Sequence, residues 1–157
     1  MHKKSANRQI NKSLNSATNG FSRKTEPVHQ ALVVDDDATV RELLSWILEG
    51  MKFAVITAKD GKNALRLFQK HDFNIVITDL NMPKIDGMAL ARRVKEWSPQ
   101  TPIILISGEI KRSSRVYRTM VDCVLHKPFG IGDLETAVRK TLAKAESLRI
   151  LRASASS

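Results

Sequence analysis

The chain has a single cysteine, few aromatic residues and no long apolar run. Cys123 cannot form an internal disulfide, which favours a reducing compartment, so we expect a cytoplasmic protein. The longest uncharged apolar stretch, residues 102–107, is too short to span a membrane, and no apolar segment follows the basic N-terminus as in a signal peptide. Aromatic residues make up 5% of the chain and do not alternate with basic ones, an arrangement that disfavours base stacking on nucleic acid.

Positive charge is abundant, and it is concentrated at the ends. The formal net charge is +10, yet residues 1–30 hold six Lys and Arg against one acid, and residues 139–157 hold five against one. Such ends act as solubilising tails or bind acidic partners, including nucleic acid. We predict a basic disordered tail at residues 1–28, one globular domain at 29–145, and a basic helix extension with a frayed end at 146–157.

Short apolar runs alternate with segments of helical periodicity along the middle of the chain. Helices are expected between and after the strands, the first with an apolar face that includes Leu43 and the last running to about Leu151. Trp46 and Trp97 are expected at the core or its edge. Five β-α units of this kind predict an α/β fold with a parallel sheet and helices on both faces. The predicted strands are residues 31–34, 53–57, 75–79, 102–106 and 121–126.

Polar residues follow four of these strands at the point where each one ends. Because the carboxyl ends of parallel strands share one edge of the sheet, these side chains should converge on one pocket. The pocket would hold three carboxylates, one hydroxyl and one ammonium. The residues are Asp35 and Asp36 after strand one, Asp79 at strand three, Ser107 at strand four and Lys127 at strand five.

Three carboxylates repel one another unless a cation lies between them. An oxygen-only ligand set favours a hard cation, Mg²⁺ before Ca²⁺, held by one or two carboxylates with water and phosphate. Ser107 and Lys127 suit the binding of a phosphoryl group, and a carboxylate can act as its acceptor. We therefore expect Asp79 to be the nucleophile, with Asp35 and Asp36 around the metal.

These motifs resemble the receiver domain of two-component response regulators, of the chemotaxis-receiver type. The pieces that carry the resemblance are Val33–Asp36, Ile77–Pro83 with Asp86-Gly87, Ile106–Gly108 and Lys127–Phe129, in this order along the chain. The resemblance implies a flavodoxin-like sheet in the order 2-1-3-4-5. It also implies a cis peptide bond between Lys127 and Pro128.

For the site, the resemblance implies that Asp79 accepts a phosphoryl group from a sensor histidine kinase or a phosphotransfer protein. Mg²⁺ would be bound by Asp36, Asp79 and the main-chain carbonyl of Asn81, with Asp35 acting directly or through water. Ser107 would hydrogen-bond the phosphoryl group, and Lys127 would pair with it. The protein would catalyse only its own phosphorylation and dephosphorylation, so it would not be an enzyme with a separate substrate.

The chain departs from the family pattern at strand five. Many receivers carry an aromatic residue three positions before the lysine, where it moves on phosphorylation; here that position is Val124. Tyr117, the nearest aromatic residue in sequence, is predicted in the preceding helix. The segment between Ser107 and Lys127 is about two residues shorter than the family leads us to expect, which predicts a reduced fourth helix or loop.

The sequence suggests one leading function, which is compared with three others. The leading one is a stand-alone receiver that signals by phosphorylation-dependent docking on an unknown protein or by relay. Alternatives are a nucleic-acid-binding adaptor acting through its basic tails and a receiver-like scaffold without regulated phosphorylation. An aspartyl phosphatase is disfavoured because such enzymes usually carry a second acid where Asn81 stands. A basic fourth helix, formed by Lys111, Arg112, Arg115 and Arg118, is either a solvated face or a docking surface for an acidic partner.

Overall fold

A computed structural model describes residues 29–108 and 115–156, without the side chains of residues 115, 116 and 118. The predicted basic tail and the charged side chains of the predicted basic helix therefore lie outside the described residues. None of the helices in the described ranges is long and apolar enough to cross a bilayer.

Five strands and five helices alternate along the described residues. The strands are β1 (Gln30–Val34), β2 (Ala54–Ala58), β3 (Ile75–Asp79), β4 (Ile103–Ser107) and β5 (Cys123–His126). The helices are α1 (Ala38–Gly50), α2 (Gly61–Phe68), α3 (Gly87–Trp97), α4 (Arg115–Met120) and α5 (Ile131–Ala155). All strand pairs are parallel, in the order β2-β1-β3-β4-β5, which confirms the predicted fold and strand order.

The central strands are buried on both faces. Every residue of β3 and β4 is buried, as expected for a parallel sheet covered by helices on each side. One face packs against α2, α3 and α4, through a cluster that includes Ala64, Leu90 and Val121. The other packs against α1 and α5, through a cluster that includes Leu44, Leu48 and Leu134.

Two of the predicted strands were wrong at their first residues, because those residues complete the end of the preceding helix. The N–H of Phe53 bonds the carbonyl of Leu48, so Phe53 closes α1 and β2 begins one residue later. In the same way the N–H of Val121 donates to the main-chain carbonyl of Tyr117 and completes the end of α4, so β5 begins at Cys123. Strand β4 is shifted by one residue, and α5 continues past Leu151 to Ala155.

The predicted packing of α1 was wrong in part. Leu44, Ile47 and Leu48 are buried, but Leu43 is 49% exposed and Trp46 is 65% exposed. The helix therefore buries a narrower stripe than the apolar periodicity indicates. Trp97 is 43% exposed and stacks on Phe68 with 6.4 Å between ring centroids, which places it at the edge of the core as expected.

Candidate functional site

The carboxyl edge of the sheet gathers the predicted site residues. Asp79 is the last residue of β3, Asp35 follows β1 directly, and Ser107 is the last residue of β4. Ser107 pairs in register with His126 of β5, and its carbonyl accepts from the N–H of Lys127 at 2.9 Å. The short strands thus bring groups from four separate parts of the sequence to one edge.

An ion pair joins the two central groups of the site. Lys127 Nζ lies 2.8 Å from Asp79 Oδ1. The Asp79 side chain is 7% exposed, whereas that of Lys127 is 40% exposed, so the pair is reached from solvent on the lysine side. Burial alone would lower the pKa of Lys127, but the hydrogen bond to Asp79 and the negative charges of Asp79, Asp35 and Asp36 raise it above its ordinary value. Lys127 therefore keeps its positive charge at neutral pH.

Asp35 is the most buried acid of the site, with 2% of its surface exposed. Its Oδ1 accepts from the N–H of Asp37 at 2.9 Å, while its Oδ2 is buried with no hydrogen-bond partner among the described residues. Burial raises the pKa of Asp35, the Asp37 bond opposes that rise, and the charge of Asp79 adds to it. A buried carboxylate oxygen without a partner is a group that a cation would satisfy.

The remaining predicted residues differ in exposure. Asp36 and Asn81 are exposed, whereas Ser107 is buried. The charges of Asp36 and Asp79 both act on Asp35. The structure thus brings the three acids and Lys127 within electrostatic reach of one another.

The donors present suit Mg²⁺ better than a metal held by protein ligands alone. Among residues 29–108 and 115–156, no three His, Cys, Asp or Glu side chains are grouped closely enough to hold a metal ion by themselves. Mg²⁺ in proteins usually retains several waters and takes one or two carboxylates together with phosphate oxygens. The unpartnered oxygen of Asp35 and the neighbouring exposed Asp36 match that description.

The loop after β3 holds Asp79 in place through its main chain. The N–H of Gly87 bonds the carbonyl of Leu80 at 2.9 Å. A Cβ atom at Gly87 would overlap the main-chain carbonyl oxygen of Asp79, so only glycine allows α3 to start so close to β3. Asp86 caps α3 by accepting from Ala89 N at 2.8 Å, which is a structural role.

Strand β5 contains the atypical position, Val124, and Lys127 follows the strand directly. The peptide bond between Lys127 and Pro128 is cis, as the family resemblance implies. Val124 pairs in register with Leu105 and is half-buried in the same cluster as Tyr117. Helix α4 has six residues in the described part of the chain.

One residue beside the acidic loop was missed in the sequence. Arg41, in the first turns of α1, donates from Nη1 to the main-chain carbonyl of Asp35 at 2.7 Å. Every residue has a main-chain carbonyl, so a side chain that donates to one leaves no recognisable pair of residue types in the sequence. The only sequence signal was an arginine four residues after the helix N-cap, Asp37.

Comparisons with known proteins identify the family of the chain. The family model described as the response regulator receiver domain matches residues 31–139. The probable transcriptional regulator ycf27 of Porphyridium aerugineum is 33% identical over 117 residues, which are 73% of this chain and 48% of that protein. The chain thus spans about half the length of such curated relatives.

Solved structures show the same architecture. The chemotaxis protein CheY4 of Vibrio cholerae matches with a TM-score of 0.68 and 29% identity, over 73% of this chain and 98% of that one. NtrX of Brucella abortus matches with a TM-score of 0.74 and 26% identity, over 80% of this chain and 29% of that one. Because the family model matches more than half of the chain, this chain belongs to the response regulator receiver domain family of two-component systems.

Proposed function

We propose that the protein accepts a phosphoryl group on Asp79, in a Mg²⁺-dependent reaction, from a sensor histidine kinase or a phosphotransfer protein. The observation that carries the proposal is the pairing of Asp79, buried at the end of β3, with Lys127 at 2.8 Å. A nucleophile of this kind must be shielded from bulk water yet reachable by its donor. The solvent-exposed side of the pair provides that access.

Asp79 is a better acceptor than Asp35. One oxygen of Asp35 accepts from the N–H of Asp37, and burial, which raises the pKa of Asp35, disfavours its charged form. Asp79 instead has a cation at hydrogen-bond distance from one of its oxygens. In the transfer, an Asp79 oxygen forms a bond to phosphorus while the bond from phosphorus to the donor histidine nitrogen breaks, and the histidine ring retains the electron pair.

The other site residues stabilise the charge that moves with the phosphoryl group. Lys127 Nζ can shift from Asp79 to a phosphoryl oxygen as a point charge, and the Ser107 hydroxyl can hydrogen-bond the same group. Asp35, Asp36, Asp79 and the main-chain carbonyl of Asn81 would hold Mg²⁺, with Asp35 acting directly or through water. When bound, the metal offsets the repulsion between the carboxylates and the phosphoryl oxygens.

Labelling with a small phosphoryl donor tests this assignment. With acetyl phosphate and Mg²⁺, the wild-type chain is expected to acquire one phosphoryl group, and Asp79→Asn is expected to acquire none. Asp86→Asn is the matched control, because asparagine also caps a helix and the α3 N-terminus should persist. Equal labelling of Asp79→Asn and wild type would overturn the choice of acceptor.

The proposed output is phosphorylation-dependent docking on a downstream protein, or transfer within a relay, in the cytoplasm. To move a two-state equilibrium from 1:99 to 99:1, phosphorylation must favour the active state by about 5.5 kcal/mol. Phosphotransfer profiling against the host's histidine kinases would identify the donor.

A second candidate, a receiver-like scaffold whose docking does not depend on phosphate, is favoured by Val124. This half-buried valine packs in the cluster with Tyr117 and has no ring to reorient. The scaffold, including an adaptor that binds nucleic acid through its basic ends, predicts partner binding that is the same in wild type and Asp79→Asn. The phosphorylated receiver predicts binding that requires Asp79.

A further inference from the structure

The acidic loop after β1 is held from three directions. The N–H of Asp35 bonds the carbonyl of Ala58 at 3.2 Å, which ties the loop to β2. The N–H of Asp37 bonds Asp35 Oδ1 at 2.9 Å, which tightens the loop on itself. Arg41 Nη1 bonds the carbonyl of Asp35 at 2.7 Å, which ties the loop to α1. Only the last bond comes from a side chain outside the loop.

The bond from Arg41 sets the orientation of the next residue. The carbonyl of Asp35 and the N–H of Asp36 belong to the same peptide unit, which is planar. Fixing the direction of this carbonyl therefore fixes the plane from which the Asp36 side chain departs. Asp36 is exposed, so burial does little to fix its position. The guanidinium is half-buried and charged, which makes its hydrogen bond stronger than one between neutral groups.

Arg41 could instead act through its charge, and the geometry argues against that role. Among the described residues, the guanidinium binds a carbonyl and forms no ion pair with a carboxylate. Burial is the largest influence on the pKa of Asp35, and the charged side chains that shift this pKa are Asp79, Lys127 and Asp36. A positive charge near a Mg²⁺ site would also oppose binding of the cation. The two roles therefore predict opposite changes in Mg²⁺ affinity when the guanidinium is removed: weaker binding if Arg41 positions the loop, and tighter binding if it acts through its charge.

We propose that Arg41 is a positioning residue for Mg²⁺, which holds the Asp35–Asp36 peptide unit so that both carboxylates can meet one cation. This inference rests on the Mg²⁺-dependent acceptor site proposed above. It adds a residue that does not touch the metal and acts through the main chain of one that does. Partners of this outer kind commonly change metal affinity by ten- to a hundredfold.

Calorimetric titration of the full chain with MgCl₂, without any phosphoryl donor, tests the inference. Arg41→Met keeps the aliphatic stem, removes the donor and is expected to weaken Mg²⁺ binding by about tenfold. Arg41→Lys keeps the charge but not the planar fork, and it is also expected to weaken binding. Arg66→Met, an exposed arginine of α2, is the matched control and should bind as wild type.

Thermal unfolding with EDTA and with Mg²⁺ keeps the test independent of folding. Arg41→Met should unfold cooperatively in EDTA, and its stabilisation by Mg²⁺ should be smaller than that of wild type. Mg²⁺ binding by folded Arg41→Met that equals or exceeds that of wild type would overturn the inference. If wild type binds Mg²⁺ and Asp36→Asn does not, such a result would leave the acceptor site standing. Absence of Mg²⁺ binding by wild type would sink both.

Discussion

At the scale of single residues, Asp35 is held at a free-energy cost in the absence of a cation. The residue is 2% exposed, one carboxylate oxygen lacks a partner among the described residues, and Asp79 adds a like charge nearby. Such groups are common at functional sites, where the arrangement of charge serves a ligand more than the fold. The site thus carries a stability cost that binding of Mg²⁺ would relieve.

This cost makes the difference in stability between Asp35→Asn and wild type depend on pH in a defined direction. The folded-state pKa of Asp35 is raised above its ordinary value of 3.8, mainly by burial. The protonated Asp35 side chain therefore contributes its full stabilisation below pH 3.8, and this stabilisation is lost as the pH rises through the folded-state pKa. In EDTA, Asp35→Asn should be more stable than wild type at pH 7, and the difference should shrink as the pH falls toward 3.8.

Urea unfolding at a series of pH values measures this difference. Asparagine can still accept from the N–H of Asp37, so the loop bond is kept. Excess Mg²⁺ serves as the control, because it should stabilise wild type more than the variant and narrow the gap. A difference that stays constant from pH 4 to pH 7 in EDTA would contradict the argument.

At the scale of elements, α3 can start close to the end of β3 because its first residue, Gly87, has no side chain. Gly87 begins the helix, and a Cβ there would meet both the main-chain oxygen of Asp79 and the side chain of Leu105. The start of the helix therefore lies directly against the main chain of Asp79. A change at Gly87 reaches Asp79 through its backbone without altering any charge.

Gly87→Ala is expected to lower the free energy of unfolding by about 1–3 kcal/mol, because neighbouring backbone must shift to admit the methyl group. Labelling of Asp79 by acetyl phosphate should also slow. Gly132→Ala in α5 is the control, since nothing lies within 4 Å of its added Cβ and alanine favours a helix. Chemical denaturation of both variants checks the expectation, and unchanged stability of Gly87→Ala would refute the close approach.

Element boundaries also mark where sequence reasoning stopped. The apolar runs located all five strands, but Phe53 and Val121 were assigned to strands when their N–H groups complete helix ends. Hydrophobicity does not distinguish these two uses. Leu43 and Trp46 fit the periodicity of α1 but are exposed, because periodicity does not define how wide a stripe the sheet covers.

At the scale of the whole molecule, parallel strands made much of the site predictable. Once Asp35, Asp79, Ser107 and Lys127 were each placed at the end of a strand, the shared edge of the sheet brought them together. The strand order followed from the family resemblance, not from periodicity. Arg41 was missed because its partner is a main-chain carbonyl, and the Asp79–Lys127 distance required the fold itself.

Two features separate the chemistry of the molecule from its output. The edge that holds Asp35, Asp79, Ser107 and Lys127 lies at the carboxyl ends of β1, β3, β4 and β5, and the Val124 side chain packs in a separate place, against the apolar cluster on one face of the sheet. Val124 and Tyr117 both pack against the cluster that includes the buried residues of α3. The proposed acceptor chemistry and the proposed output therefore rest on different residues, and each can be tested without the other.

The most direct test of the account is to locate the phosphoryl group on the full chain. After labelling with acetyl phosphate and Mg²⁺, borohydride reduces an aspartyl phosphate to homoserine, and peptide mass spectrometry identifies the converted residue. The account predicts homoserine at position 79, only when Mg²⁺ is present and Lys127 is intact. Conversion at another aspartate, or equal conversion at 79 in EDTA, would contradict it.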